Sequence, residues 1–246
     1  MTHSNDLLLE DTWVDPLDQL DELVTPPPPD PDEMLGLLLD PDATKRMVAA
    51  RAFCEISDER AIEPLLTLLA DSCPLVRVSV AYALGRNSSP TIVDQLIHTL
   101  QTDWNGYVRK GLVWALGNCG DRRALMPLIH ALKTDISAVR LWSASSLPNI
   151  AKLAYEDVIA TVPPLIEALR RDTMPAVRSN CAWAVGQMCR ELPSNVIYAT
   201  AVDALLEALV EDSDLGVKED ARASLLKLGD PRGLQMIEEL ELDGLI

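Results

Sequence analysis

Only one phenylalanine and three histidines occur in the 246 residues, and aromatics together make up 4%. So few histidines leave little material for a metal centre or a histidine general base. No run of eighteen uncharged apolar residues exists, which excludes a membrane-spanning helix of the usual kind. The opening residues MTHSNDLLLEDTW have no basic segment ahead of an apolar one, so no export signal is expected. Five cysteines, an odd number at scattered positions, do not make a disulfide framework. Reduced thiols in a cytoplasmic protein are expected instead. Also absent are a glycine-rich phosphate loop, an H-E-x-x-H pair and a Ser or Cys nucleophile beside a plausible base. No catalytic residue is expected.

Positive charge is scarce and unevenly placed. Residues 1–44 hold 12 acids and no Lys or Arg, while residues 45–202 hold 17 basic and 14 acidic residues. Residues 203–246 return to excess acid, with 4 bases against 12 acids, and the whole chain carries −17. Acidic ends repel nucleic acid and anionic membranes, so neither is an expected partner. Residues 1–32, with PPPPDP and many carboxylates, read as a flexible acidic arm in which DPLDQLDELV (15–24) has the pattern of a short amphipathic helix.

What the chain has in quantity is repetition. LLADSCPLVRVSVAYALG (68–85) aligns with TLQTDWNGYVRKGLVWALG (99–117), and copies recur through VPPLIEALRRDTMPAVRSNCAWAVG (162–186) and AVDALLEALVEDSDLGVKEDARASLL (201–226). The base of the V-R pair falls at Arg46, where Lys45 stands in place of the valine, and at Arg77, Arg109, Arg140, Arg178 and Lys218, at intervals of 31, 32, 31, 38 and 40 residues. The segments AKLAYED and RELPSNVIYAT read as inserts lengthening the last links. Each unit predicts two helices. The first has a proline in its opening turn, as at Pro64, Pro127 and Pro164, where a missing N–H costs nothing. A polar break containing aspartate follows, then an alanine-rich second helix. One such pair cannot bury both apolar faces, whereas a stack can, so the expected fold is an all-α solenoid of five to six repeats over 33–240, with a short tail at 241–246.

These repeats resemble HEAT repeats, in particular the phycobilisome-lyase HEAT-like family, whose pattern places P-L-I-x-A-L, then Asp, then V-R-x-x-x-A-x-A-L-G. The resemblance implies a ladder in which each V-R base ties to the aspartate of a neighbouring unit. Asp135 sits one residue nearer Arg140 than the pattern requires, which predicts an imperfect rung. YVRKGLVWALGNCGDRRAL, VRSNCAWAVGQMCRELPSN and DLGVKEDARASLLKLGDPRGL are further similar to cyanobacterial HEAT-repeat proteins that associate with an A-type iron–sulfur carrier. That similarity implies such a carrier as partner. The wider family implies instead a phycobilin lyase subunit, the one enzymatic reading, or a factor acting on phycobiliproteins. In either case an iron–sulfur cluster or a bilin would be shared with the partner rather than held by this chain alone.

Helical geometry selects the surface. With Arg178 at 0° and steps of about 100°, Val177, Cys181, Ala184, Val185 and Met188 share an apolar side, and Ser179, Asn180, Trp183, Gln187 and Arg190 share a polar one. Two, five and nine residues after each V-R base the same polar side recurs. It supplies a candidate partner-binding strip of Arg51, Tyr82, Arg86, Trp114, Asn118, Trp142, Asn149, Asn180, Trp183 and Gln187. In a HEAT stack the second helices line the concave face, and aromatics among Asn, Gln and Arg suit a protein interface. Replacing Trp114 and Trp183 by alanine is therefore expected to weaken binding with little effect on melting.

The cysteines invite a metal reading. Cys181 and Cys189 are separated by roughly 12 Å of rise and 80° of rotation, too far for one zinc. Both read as buried. Cys73 and Cys119, in a break and at a helix end, are the weak metal candidates and the expected exposed thiols. His98 and His130 occupy equivalent exposed positions without a third ligand. Gly85, Gly117 and Gly186 share one offset, where a missing side chain permits close packing.

Overall fold

The computed structural model describes residues 28–152, 154–190, 192–193 and 195–244. The expected helix at 15–24 and nearly all of the expected arm lie outside the described residues. The chain divides into two units, Met1–Asp30 and Pro31–Ile246, and the second holds every helix named below.

Helices alternate in pairs: α1 (Pro31–Leu37) with α2 (Ala43–Ala52), α3 (Ile62–Leu68) with α4 (Pro74–Arg86), and α5 (Val93–Thr102) with α6 (Gly106–Cys119). They continue as α7 (Leu125–Thr134) with α8 (Ser137–Ala151), α9 (Tyr155–Arg171) with α10 (Pro175–Cys189), and α11 (Val196–Glu211) with α12 (Leu215–Leu228). A last helix, α13 (Pro231–Leu242), lies against α12. No strand occurs among the described residues, so the fold is the expected all-α solenoid, here with six pairs and a closing half.

Each second helix packs along the second helices before and after it, α4 between α2 and α6 and so on to α12, more extensively than first helices meet one another. Small residues make the approach possible: a Cβ on Gly117 would stand 2.6 Å from Ser146 Cβ, and one on Gly186 2.6 Å from Ser224 Cβ. Sandwiching also explains why burial in α10 exceeds the expected stripe. Val177, Cys181, Ala184, Val185 and Met188 are buried, but so are Ala182, Gly186 and Cys189, which lie outside it.

The ladder is present and does more than pair charges. Arg77, Arg109, Arg140 and Arg178 each grip the next repeat's aspartate through Nε and Nη2, as in Arg178 to Asp212 at 2.7 Å by both routes. Arg46 reaches Asp71 through Nε at 2.7 Å. The remaining Nη1 donates back to the carbonyl of the aspartate in its own repeat, 2.8 Å from Arg77 to Asp71 O and 2.9 Å from Arg178 to Asp172 O. One planar guanidinium thus fixes its own turn and the next, which a lysine cannot do. Lys218, with no later rung to make, donates to Val210 O instead. Burial pushes the Asp71 and Asp172 carboxyls up, but hydrogen bonds from Arg46 and Arg140, and from the N–H groups of Cys73 and Met174, bring both below the ordinary carboxylate value. For Asp212 the Arg178 hydrogen bond is the largest influence and holds it low against burial.

Three expectations need correction. The Asp135 rung is intact, with Arg109 at 2.6 and 2.7 Å. Its turn absorbs the missing residue, for Asp135 accepts from the N–H one residue on, Ile136, whereas Asp71, Asp103, Asp172 and Asp212 accept from two residues on. AKLAYED is not all link: α9 starts at Tyr155, which puts Pro163 and Pro164 in the helix interior rather than its opening turn. Their missing N–H groups leave the carbonyls of Ile159 and Ala160 without helical donors. Pro163 and Ala160 are exposed, so water can serve there. Likewise VIYAT belongs to α11, begun by Asn195, whose side chain accepts from the N–H groups of Ile197 and Tyr198.

Candidate binding surface

The expected strip runs along the second helices, and its members are tied from repeat to repeat. Trp114 on α6 faces Tyr82 on α4, ring centroids 5.6 Å apart, and lies over Gly85, where any Cβ would meet its ring. Lys110 sits 5.5 Å above the ring of Trp142, within cation–π range. Ser145 Oγ donates to Asn180 Oδ1 at 2.8 Å, and Asn180 Nδ2 to Ala176 O at 3.1 Å. Asn118 Nδ2 donates to Gly85 O at 3.1 Å.

Exposure divides these residues. Arg51, Arg86, Asn118 and Asn149 are exposed, whereas Tyr82, Trp114, Trp142, Asn180, Trp183 and Gln187 are half-buried. Trp142 and Trp183 pack against the core, so neither tryptophan stands freely in water as the polar-face reading expected. The row two residues after the V-R base is not uniformly wet either: Ser79 and Gly111 are buried. That row faces the neighbouring second helix, where a Cβ on Gly111 would come within 2.8 Å of Ala81 Cβ.

A shallow cavity of about 470 Å³ opens within the strip, lined by Gly85, Arg86, Ser88, Trp114, Gly117, Asn118, Gly120 and Asn149. Arg86 is its one charged lining residue and makes no ion pair among the described residues. Arg51 is equally unpaired there. A larger groove of about 720 Å³ lies between the C-terminal end of α5 and the length of α7, reaching the turn that follows. Its charges are already engaged, Arg109 with Asp135, and Asp103 with Arg77. Met126 and Ile136 on its wall are exposed, as are nearby Trp104 and Tyr107, with Arg77 stacked 5.6 Å from the Trp104 ring. Sequence reasoning passed over this edge, because Trp104 and Tyr107 fall in the break assigned to polar turn residues. Their large apolar side chains at a site meant for charge are the signal that was there to be read.

The thiols do not assemble. Cys181 and Cys189 are buried, and burial pushes the Cys189 thiol up to about 12 and that of Cys181 higher still. Cys54, Cys73 and Cys119 are half-buried, so Cys73 and Cys119 are less open than expected. No group of three or more His, Cys, Asp or Glu side chains placed to hold a metal ion exists among the described residues. His98 and His130 are exposed, as their repeat position implies.

HEAT-repeat models match residues 32–110, 93–162 and 162–244, nearly the whole of the repeat array. The chain belongs to the HEAT-repeat family. No curated protein matches it in sequence. Among solved structures, a designed armadillo repeat protein in complex with the peptide (KR)4 superposes with a TM-score of 0.59 at 21% identity, covering 81% of this chain and 100% of that one. The complex of CpcE and CpcF of phycocyanin lyase from Nostoc sp. PCC7120 gives 0.59 at 21% identity, over 87% of this chain and 82% of the other. An engineered protein gives 0.60 at 23% identity, over 81% and 98%. At such identities the likeness is one of fold. No helix among the described residues is long and apolar enough to cross a membrane.

Proposed function

We propose that this HEAT-repeat chain is a non-catalytic scaffold that holds a partner protein on the strip along its second helices. The observation carrying the reading is the strip's composition. Exposed Arg51, Arg86 and Asn149, with no ion pair or hydrogen bond to other described side chains, alternate with half-buried Tyr82, Trp114, Trp142 and Trp183. Tyrosine, tryptophan and arginine are the residue types in which binding hot spots are enriched. The partner to test first is an A-type iron–sulfur carrier, the partner that the resemblance to cyanobacterial HEAT-repeat proteins implies. A cluster shared with it would take its ligands from the carrier, since the thiols here are buried or dispersed.

The fold likeness to CpcE and CpcF keeps a second reading, a phycobilin lyase subunit or a factor acting on phycobiliproteins. Two measurements separate them. Calorimetric titration with a purified A-type carrier should show binding that Arg86→Glu with Asn149→Ala abolishes. Incubation with phycocyanobilin and an apo-phycobiliprotein should give no covalent adduct; reproducible adduct formation overturns the scaffold reading.

A further inference from the structure

The charge of the strip runs against the charge of the chain. Across α4, α6, α8 and α10, the residues one, two, five and nine after each V-R arginine include Arg86 and Lys110 and no acid at all. Acids return only at the ends of the row, at Glu55, Glu219 and Asp220, and Asp220 accepts from Ser179 Oγ. In a protein of net charge −17, these positions in the middle of the row carry no carboxylate, two cations and the carboxamides of Asn118, Asn149, Asn180 and Gln187.

We infer that the strip is built for an extended acidic segment of a partner protein, with one carboxylate seated in the cavity formed by Arg86, Asn118 and Asn149. The inference rests on the scaffold reading and names the chemistry of its partner. Arg86 is free for the task. The cavity lies at the C-terminal end of α4, whose open carbonyls would repel an anion and hold a guanidinium. Two of them are already covered, Ala83 O by Asn87 Nδ2 at 2.9 Å and Gly85 O by Asn118 Nδ2 at 3.1 Å. The Arg86 guanidinium makes no hydrogen bond or ion pair among the described residues, and a carboxylate matches its planar fork in two parallel hydrogen bonds. Trp114 supplies the apolar wall beside it.

Extension follows from the period. Packed helices lie about 8–10 Å apart, so Asn149 and Gln187, on successive second helices, recur at a spacing that about three residues of extended chain cover. A carboxamide offers donor and acceptor together, as a main chain requires.

The test uses the full chain and three fluorescein-labelled octapeptides: Glu-Leu repeated four times, Gln-Leu repeated four times, and Lys-Arg repeated four times. Anisotropy titrations should show the acidic peptide bound at least tenfold more tightly than either other, with affinity falling as salt rises. Arg86→Glu should weaken it at least tenfold, while Arg171→Glu, at an exposed base on α9, should change it less than twofold. Equal binding of the Gln-Leu peptide, preference for the Lys-Arg peptide, no binding of the acidic peptide, or indifference to Arg86→Glu would each overturn the inference. A partner or neutral peptide lost on Asn149→Ala with Trp183→Ala, yet unaffected by Arg86→Glu, would overturn the acidic segment and keep the strip. Indifference to all three substitutions would remove both.

Discussion

Trp114 of α6 lies in the space that a Cβ on Gly85 of α4 would need. The indole therefore belongs both to the strip and to the packing of one repeat on the next. Gly85→Ala should displace the ring, destabilising the fold by about 1–3 kcal/mol, as overpacking does. Near-ultraviolet circular dichroism should change in the tryptophan bands, and the urea midpoint should fall. By the same geometry Trp114→Ala should lower the melting temperature as well as weaken binding, contrary to the simple surface reading of this residue. Arg86 and Asn149 are the cleaner probes of binding.

The ladder should dominate mutational sensitivity outside the core. The Arg178 and Asp212 side chains are only 12% and 8% exposed. Removing Arg178 leaves a confined carboxylate and an unserved carbonyl at Asp172, so Arg178→Ala should cost about 3 kcal/mol. Arg178→Lys should recover less than half of that, since one ammonium cannot hold both carboxylate oxygens and the carbonyl. Chemical denaturation of the two variants checks the order.

Stability should fall in acid for a definable reason. Asp212 is held below its ordinary value of 3.8 by Arg178, and Asp71 and Asp172 are also lowered in spite of burial. A carboxyl depressed in the folded state contributes stability above its unfolded value and loses it as pH falls through the folded value. Melting temperatures should therefore hold steady from neutral pH to about 5 and decline below about 4. In Asp212→Asn, already weaker at neutral pH, the decline should be shallower.

Thiol chemistry should report the burial pattern. Cys181 and Cys189 are buried, and Cys189 is raised to about 12 by burial alone. With an aromatic disulfide reagent at neutral pH, the native protein should show no more than three of its five thiols reacting within minutes, and all five in denaturant. Fast reaction of Cys181 would contradict its place in α10.

Much of this was legible because a repeat states its pattern six times. The V-R bases marked every second helix, and the glycine offset marked the close contacts. What escaped was local. Asp135 looked mis-spaced because spacing in sequence does not reveal that an aspartate can accept from the next N–H as readily as from the one after. The start of α9 was hidden by Pro163 and Pro164, since two prolines normally open a helix rather than sit within one. The row of Ser79 and Gly111 was assigned to solvent because a single helical wheel knows nothing of neighbours packed on both flanks. Trp104 was missed because it lies in a turn, outside any periodic face.

The most direct test compares capture by the wild-type chain with capture by two variants of unchanged circular dichroism. One carries Arg86→Glu and Asn149→Ala on the strip; the other carries Trp104→Ala and Tyr107→Ala on the turn edge. Proteins retained by wild type should be lost from the strip variant and kept by the edge variant. The reverse, retention by the strip variant and loss from the edge variant, would contradict the account and move the binding surface to the turns.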